Sequence, residues 1–276
     1  RSDWDNLTDI EIVLFHDWAI SRMKLARIDA AARQVQLRHP VGYLGLPFTG
    51  FNHFEPHQRY WLENAREFVD SPGEWYLDRE TGELFYHPLP GESLDEIEAV
   101  APVAAHLLNV EGTPDRAVRN LEVRGLTFSH TGWPLPEVGY GGIQAVYYGH
   151  ERGEWNRLPV AVIFKSVEDC RFEANRLLNL GTSGVIFEIG ARGNAIAGNE
   201  VGHVAGNGIM LGETKRYAPD APEVSRANAI ANNHVHHCGE GYFGAVGIWI
   251  GHTQQSRVAH NWVHDHPYTG ISIGWT

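Results

Sequence analysis

From Val160 onward, apolar and polar positions recur in a long register set by four asparagines, Asn175, Asn199, Asn233 and Asn261. Three positions before each stands an apolar residue: Phe172, Ile196, Ile230 and Val258. Two positions after each stands another: Leu177, Val201, Val235 and Val263. Glycine follows nine positions after three of them, as Gly184, Gly208 and Gly270. The remaining coil reaches Gly247 late, through an insertion at 239–243. Each glycine leads into a β-rich run: Val185-Ile186-Phe187, Ile209-Met210-Leu211, Ile248-Trp249-Ile250 and Ile271-Ser272-Ile273. Coils of about 23 to 25 residues, insertions aside, predict a solenoid of stacked turns. The fold class expected is all-β, a right-handed parallel β-helix.

Alternation along a strand sends successive side chains to opposite faces. Val185, Phe187, Ile209, Leu211, Ile248, Ile250, Ile271 and Ile273 should therefore point inward, and Ile186, Met210, Trp249 and Ser272 outward. The asparagines should sit in a turn, each amide bonding the coils above and below at about 4.8 Å spacing. Glycine at each corner is expected to supply backbone angles closed to other residues. A fainter coil over Leu121-Glu122-Val123-Arg124-Gly125-Leu126-Thr127-Phe128 fits with Arg124 in the asparagine position.

Other segments break the period. The stretch 133–158 is rich in glycine and carries Trp133, Tyr140, Tyr147, Tyr148 and Trp155, and 213–224 interrupts a later coil. Loops this long in a regular scaffold tend to be functional. Before residue 100 the pattern changes. Glu74-Trp75-Tyr76-Leu77-Asp78 and Glu83-Leu84-Phe85-Tyr86-His87-Pro88 flank Arg79-Glu80-Thr81-Gly82 as a hairpin. A second hairpin is expected over 28–37, a short turn or helix near 64–68 and an acidic linker at 91–99. Residues 1–100 thus read as an antiparallel β module attached to a solenoid over 101–276, with insertions at 133–158, 213–224 and 239–243.

Composition narrows the partners. A formal charge of −12 opposes a phosphate-binding surface, so no nucleic acid is expected. It also disfavours polyanionic sugars. No apolar run approaches the roughly 18 residues of a membrane span, so no membrane is expected. Cys170 and Cys238 fall at different points of the repeat, which argues against a bridge. The last residues fall in mid-coil, so the sequence reads as a fragment, with self-association possible through exposed solenoid ends.

Pro72-Gly73-Glu74-Trp75-Tyr76-Leu77-Asp78-Arg79 and Thr81-Gly82-Glu83-Leu84-Phe85-Tyr86 resemble a signature of bacterial right-handed β-helix proteins. So do Gly244-Ala245-Val246-Gly247-Ile248-Trp249-Ile250-Gly251 and the segment from His264-Asp265-His266-Pro267-Tyr268 to Gly274-Trp275. Together they resemble glycoside hydrolase family 141, which includes α-L-fucosidases and xylanases. The resemblance implies a secreted enzyme, extracellular or periplasmic, acting on an oligo- or polysaccharide. Such relatives continue past the Gly-Trp pair into coils with an Asp-Gly-Gly-like segment, which is missing from this sequence.

Candidate chemistry gathers late in the chain. His203, His234, His236, His237, His252, His260, His264 and His266 are eight of the sixteen histidines. Four positions after the repeat asparagines come Asn179, His203, His237 and Asp265; three positions after come Leu178, Gly202, His236 and His264. Such a stripe is a solvated turn or a substrate groove. Asp265 stands out as a catalytic carboxylate, because glycosidases need two carboxyl groups, one to protonate the leaving oxygen and one to attack or to activate water. The resemblance puts the second in the downstream coil; within this sequence the candidates are Glu213 and Glu240. His203, His236, His237, His264, Tyr268, Trp249 and Trp275 are expected to shape the sugar site, the tryptophans as stacking platforms. Phe15-His16-Asp17-Trp18 is a further polar-aromatic knot. Zinc accepts ligand spacings such as His234/His236 and His264/His266. These pairs lie near turns, however, and HExxH and Cys-x-x-Cys are missing. No metal and no cofactor are therefore expected. A lyase or epimerase on the same fold is the enzymatic alternative, disfavoured by charge and by only three lysines. A non-catalytic glycan-binding or structural solenoid is the other.

Overall fold

A computed structural model describes Trp4 and residues 6–41, 56–149 and 155–274. It divides into two compact units, 1–100 with 135–142 and 148–154, and 101–134 with 143–147 and 155–276.

In the first unit Glu11–Phe15 pairs antiparallel with Ile20–Asp29 and with Tyr60–Glu63. Ile20–Asp29 also folds back on Gln34–Leu37, and Trp75–Leu77 pairs with Leu84–Tyr86 around the Asp78–Glu83 turn. Ile10, Ile12, Leu14, Met23 and Leu25 form its core. Arg22 lies between Glu11 and Glu63 at 3.5 and 2.5 Å.

The second unit is the solenoid, built of three long parallel sheets. The first stacks Leu108–Glu111, Val160–Lys165, Ser183–Glu188, Ile209–Leu211, Val246–Ile250 and Thr269–Ile273. The second stacks Glu122–Arg124, Arg171–Glu173, Ala195–Ala197, Ala229–Ala231 and Arg257–Ala259. The third stacks Thr127–Thr131, Arg176–Leu180, Glu200–Val204, His234–Cys238 and Trp262–His264. Val185, Ile209, Ile248 and Ile271 are direct partners, as are Phe187, Leu211, Ile250 and Ile273. These are the inward columns that alternation requires, and Phe164 stacks on Phe187 with ring centroids 4.3 Å apart. Among the described residues no helix is long and apolar enough to cross a membrane.

The asparagine ladder is continuous. Asn199 Nδ2 donates to the Phe172 carbonyl below and to Asn233 Oδ1 above, while Asn233 Oδ1 also accepts the Asn199 backbone N–H. Asn233 repeats the pattern with Ile196 and Asn261. At the other end Asn175 Oδ1 accepts from the Leu126 N–H and Nδ2 donates to Val123 O. Leu126, not Arg124, therefore holds the asparagine position of the fainter coil. Val123 pairs with Phe172, and the expected register is corrected by two residues. A second ladder, five residues earlier in each coil, runs through Cys170, Asn194, Asn228 and Ser256.

The corner glycines are there for a different reason from the one expected. None of Gly184, Gly208, Gly247 and Gly270 has a positive φ. Space is what Gly184, Gly208 and Gly247 lack: a Cβ on Gly208 would lie 2.6 Å from the Gly247 carbonyl oxygen and 2.9 Å from Cys238 Sγ. Left-handed backbone sits instead in columns flanking the turns. One runs through Gly125, Ala174, Gly198, Asn232 and His260, another through His130, Asn179, His203, His237 and Asp265.

Replacing Asn233 by leucine should destabilise the fold by about 1–3 kcal/mol for each buried partner left unpaired, chiefly the Ile196 carbonyl and the Asn199 N–H. Denaturant unfolding measures this; an unchanged midpoint would contradict the ladder.

Candidate functional site

The third sheet presents its outer face in columns. One residue after each ladder asparagine come Arg176, Glu200, His234 and Trp262; Glu200 and His234 are direct partners, as are His234 and Trp262. Two residues further along the same strands come Leu178, Gly202, His236 and His264. Between these columns Leu177, Val201, Val235 and Val263 point inward, which fixes both as outward. The next position, near the end of each strand, is in left-handed backbone, with φ of 55° at Asn179, 53° at His203, 49° at His237 and 55° at Asp265. Asn, Asp and His tolerate that conformation better than most residues. The polar column thus has a backbone reason of its own.

The imidazoles interlock. His234 Nε2 faces His264 Nε2 at 2.8 Å, and His236 Nδ1 faces His237 Nδ1 at 2.9 Å. His203 and His237 stack at 4.8 Å between ring centroids, and His234 and His236 lie 4.4 Å apart. The His236 ring lies over Gly202, in space that any Cβ there would fill. Carboxylates border the cluster: Glu240 Oε1 accepts from His203 Nδ1 at 3.0 Å, and Asp265 Oδ2 from His264 Nδ1 at 2.7 Å. Glu200 Oε1 stands 3.8 Å from His236 Nε2, and its Oε2 accepts from Arg176 Nε at 2.7 Å.

These contacts set charge. The His264 hydrogen bond holds the Asp265 carboxyl below the usual aspartate range, and the Arg176 bond does the same for Glu200. His236 moves down, first through burial and then through the charge of neighbouring histidines, so it disfavours taking a proton.

The face gathers His203, His236, His237, His264, Asp265 and Glu240, and adds His234, which the sequence offers only as half of a zinc-type pair, and Glu200 and Trp262, which the sequence reading does not single out. A signal for these existed in the column directly after the repeat asparagines. Trp262 stacks on His234 at 4.2 Å and is 64% exposed. Trp249 is 0% exposed and is not a platform. It does lie on the outward side of the first sheet, but residues 143–147 cover that side, and Tyr147 packs on its indole at 5.1 Å. Trp275 lies outside the described residues, and of Trp155 only its place in the strand Trp155–Arg157 is described. The Tyr268 hydroxyl accepts from Gln144 Nε2 at 2.6 Å. In the first unit His16 bonds Ser21 Oγ at 2.8 Å and Gln58 Nε2 at 3.1 Å.

Glu213 stands apart. It follows Ile209–Leu211 at the far edge of the first sheet, whereas Asp265 precedes Thr269–Ile273 at the near edge. A strand length of roughly 13 Å or more separates those edges, beyond the spacing of paired glycosidase carboxylates. Its surroundings are Glu188, Arg157 and Tyr147, with Arg157 Nη2 on Glu188 Oε2 at 2.5 Å. Glu213 Oε1 is buried with no hydrogen-bond partner among the described residues. Burial, then the Glu188 charge, raises its pKa to about 7.

Known proteins resemble the chain in three respects. Residues 163–276 match the right handed beta helix region, and residues 2–89 match the GH141 insertion domain. A solved structure titled "Glycoside hydrolase" superposes with a TM-score of 0.87 at 25% identity, over 98% of this chain and 51% of the other. The chain thus spans about half the length of that structure. No curated protein sequence matches it. Fold and comparisons define a right-handed parallel β-helix protein. More narrowly, it resembles glycoside hydrolase family 141, whose insertion-domain model matches residues 2–89.

The half-buried Glu213 predicts a pH dependence. Its folded pKa lies above the ordinary 4.5, so the folded state holds the proton more tightly than the unfolded chain. Stability should be highest below pH 4.5 as far as this group is concerned, fall as pH rises to about 7, and level off above. At about 1.4 kcal/mol per unit the loss is on the order of 3 kcal/mol. Glu213→Gln should remove most of that slope and stabilise the protein at pH 8; equal slopes in denaturant unfolding between pH 5 and 7.5 would contradict the assignment.

Proposed function

We propose that the outer face of the third sheet is the sugar site of a glycoside hydrolase, with Asp265 and Glu240 as its carboxylates. One juxtaposition carries the reading: both carboxylates hydrogen-bond imidazoles of the same five-histidine cluster. The resemblance to a solved glycoside hydrolase over nearly the whole chain supports it. Hydrolysis of a glycosidic bond needs one carboxyl group to protonate the leaving oxygen and one to attack carbon or activate water. Asp265 is the attacking or activating group in this reading, since His264 occupies Oδ2 and leaves Oδ1 for the reacting centre. Glu240, on the insertion at 239–243 and tethered by His203, supplies the acid. Trp262 offers an exposed aromatic face to the apolar side of a sugar ring.

The substrate class is a neutral plant-type polysaccharide or its side chains, in keeping with the net charge of −12. An extracellular or periplasmic setting follows from the same relationship. Incubation with neutral and acidic glycans separates the rivals. New reducing ends mean hydrolysis, absorbance of an unsaturated uronate means elimination, and binding without either means a non-catalytic solenoid.

In the intact natural protein, Asp265→Asn should lower turnover on an aryl glycoside or xylan panel by about 10²- to 10⁴-fold or more. Glycan binding and melting temperature should stay near wild type, because the side chain is largely exposed and its amide keeps the shape. Near-wild-type turnover would remove Asp265 from the chemistry.

A further inference from the structure

Within the cluster one group of donors has the geometry of a metal site. Glu200 and His234 face each other across adjacent coils, and His236 stands two residues beyond His234 on the same strand. The backbone is regular from His234 to His236, so these two share a face, against the expectation that the nearby turn would separate them. Donor atoms of Glu200, His234 and His236 all lie within 4.8 Å of one another. His264 borders this group without belonging to it, its Nε2 2.8 Å from His234 Nε2.

We propose that Glu200, His234 and His236 form a binding site for a divalent cation of the zinc class, with His264 drawn in beside His234 as a fourth ligand. Zinc bonds to nitrogen and carboxylate oxygen of about 2.0–2.1 Å at tetrahedral angles place neighbouring donors about 3.3 Å apart. The His234–His264 separation of 2.8 Å and the Glu200–His236 separation of 3.8 Å bracket that value. The cation takes the place of the proton that the two facing Nε2 atoms share. Three imidazoles favour zinc, copper or cobalt over calcium or magnesium, which take oxygen ligands.

The surroundings hold the donors in position. Asp265 Oδ2 accepts from His264 Nδ1, which keeps the proton on that nitrogen and presents the lone pair of Nε2 to the site. A carboxylate behind a ligating histidine fixes its tautomer and raises its basicity. Arg176 Nε occupies Glu200 Oε2 and leaves Oε1 toward His236. His237 Nδ1 engages His236 Nδ1, so His236 offers Nε2. All four donors stand on strands of one sheet, a rigid support. A second group, His203, His236 and His237, competes for His236. Two of its three members sit in left-handed backbone near the strand ends, and His203 is already bonded to Glu240.

The whole chain, stripped with a chelator and dialysed, is titrated with zinc chloride in a calorimeter, and with cobalt(II) while its visible absorption is recorded. No sugar is present, so the result is independent of the hydrolase reading. One zinc per chain is expected, with cobalt bands of a four-coordinate nitrogen–oxygen site, a higher melting temperature, and no response to calcium. His234→Ala and Glu200→Gln should each weaken zinc by 100-fold or more, and Asp265→Asn by about 10- to 100-fold. His203→Ala should bind as wild type. Glu200→Gln keeps the side-chain shape and carries the test if His234→Ala does not fold. No zinc uptake would overturn the proposal. So would loss of binding in His203→Ala with wild-type affinity in the other variants, which would put the metal among His203, His236 and His237.

Discussion

Each coil of the solenoid is held in place over the next by side-chain amides at its corners. An asparagine amide carries a donor and an acceptor, so one residue can donate to a carbonyl and accept an N–H from the coil below, while its own N–H and amide donate to the asparagine above. Repeated through Asn175, Asn199, Asn233 and Asn261, this leaves no freedom to slide by a residue. A slip of one would turn every inward side chain outward. With the register locked, residues that are 28 or 34 apart in sequence become neighbours at about 4.8 Å. The histidine face follows from that constraint. Glu200, His234 and Trp262 form one column, and Gly202, His236 and His264 the next, because the ladder beside them allows no other pairing.

Much of this was legible because a solenoid writes its contacts as a repeat. The ladder, the inward columns and the polar stripe all follow from spacing alone. What was missed has identifiable causes. The faint coil lacks an asparagine, so nothing in its spacing separates Arg124 from Leu126, which holds the ladder position. Glycine in a turn suggested unusual φ, but at Gly208 and Gly247 the cause is the close approach of stacked carbonyls. Alternation gave the correct side of the sheet for Trp249. It could not show that residues 143–147 would cover that side, because an insertion follows no repeat. The column holding Glu200, His234 and Trp262 was readable but was passed over for the two beside it.

Two kinds of carboxylate are kept apart by the same scaffold. Glu213 is half-buried at one edge of the first sheet, where burial and the Glu188 charge resist its ionisation. Asp265 and Glu200 sit among cationic or hydrogen-bonding partners, which favour the charged form. Location decides the assignment: only the second kind shares a face with the imidazoles and an exposed indole. His236 is the hinge of that face, its two nitrogens directed to different neighbours, and Gly202 beneath it leaves the room its ring requires.

The central claim is that this one face of the third sheet is where the protein meets its ligand. Side-chain nitrogen NMR of the sixteen histidines during titration with neutral oligosaccharides tests it directly. The account predicts that His203, His234, His236, His237 and His264 shift together, while His16, His106, His252 and His260 hold still. Shifts confined to the histidines outside the face, with the five unmoved at saturating sugar, would contradict it.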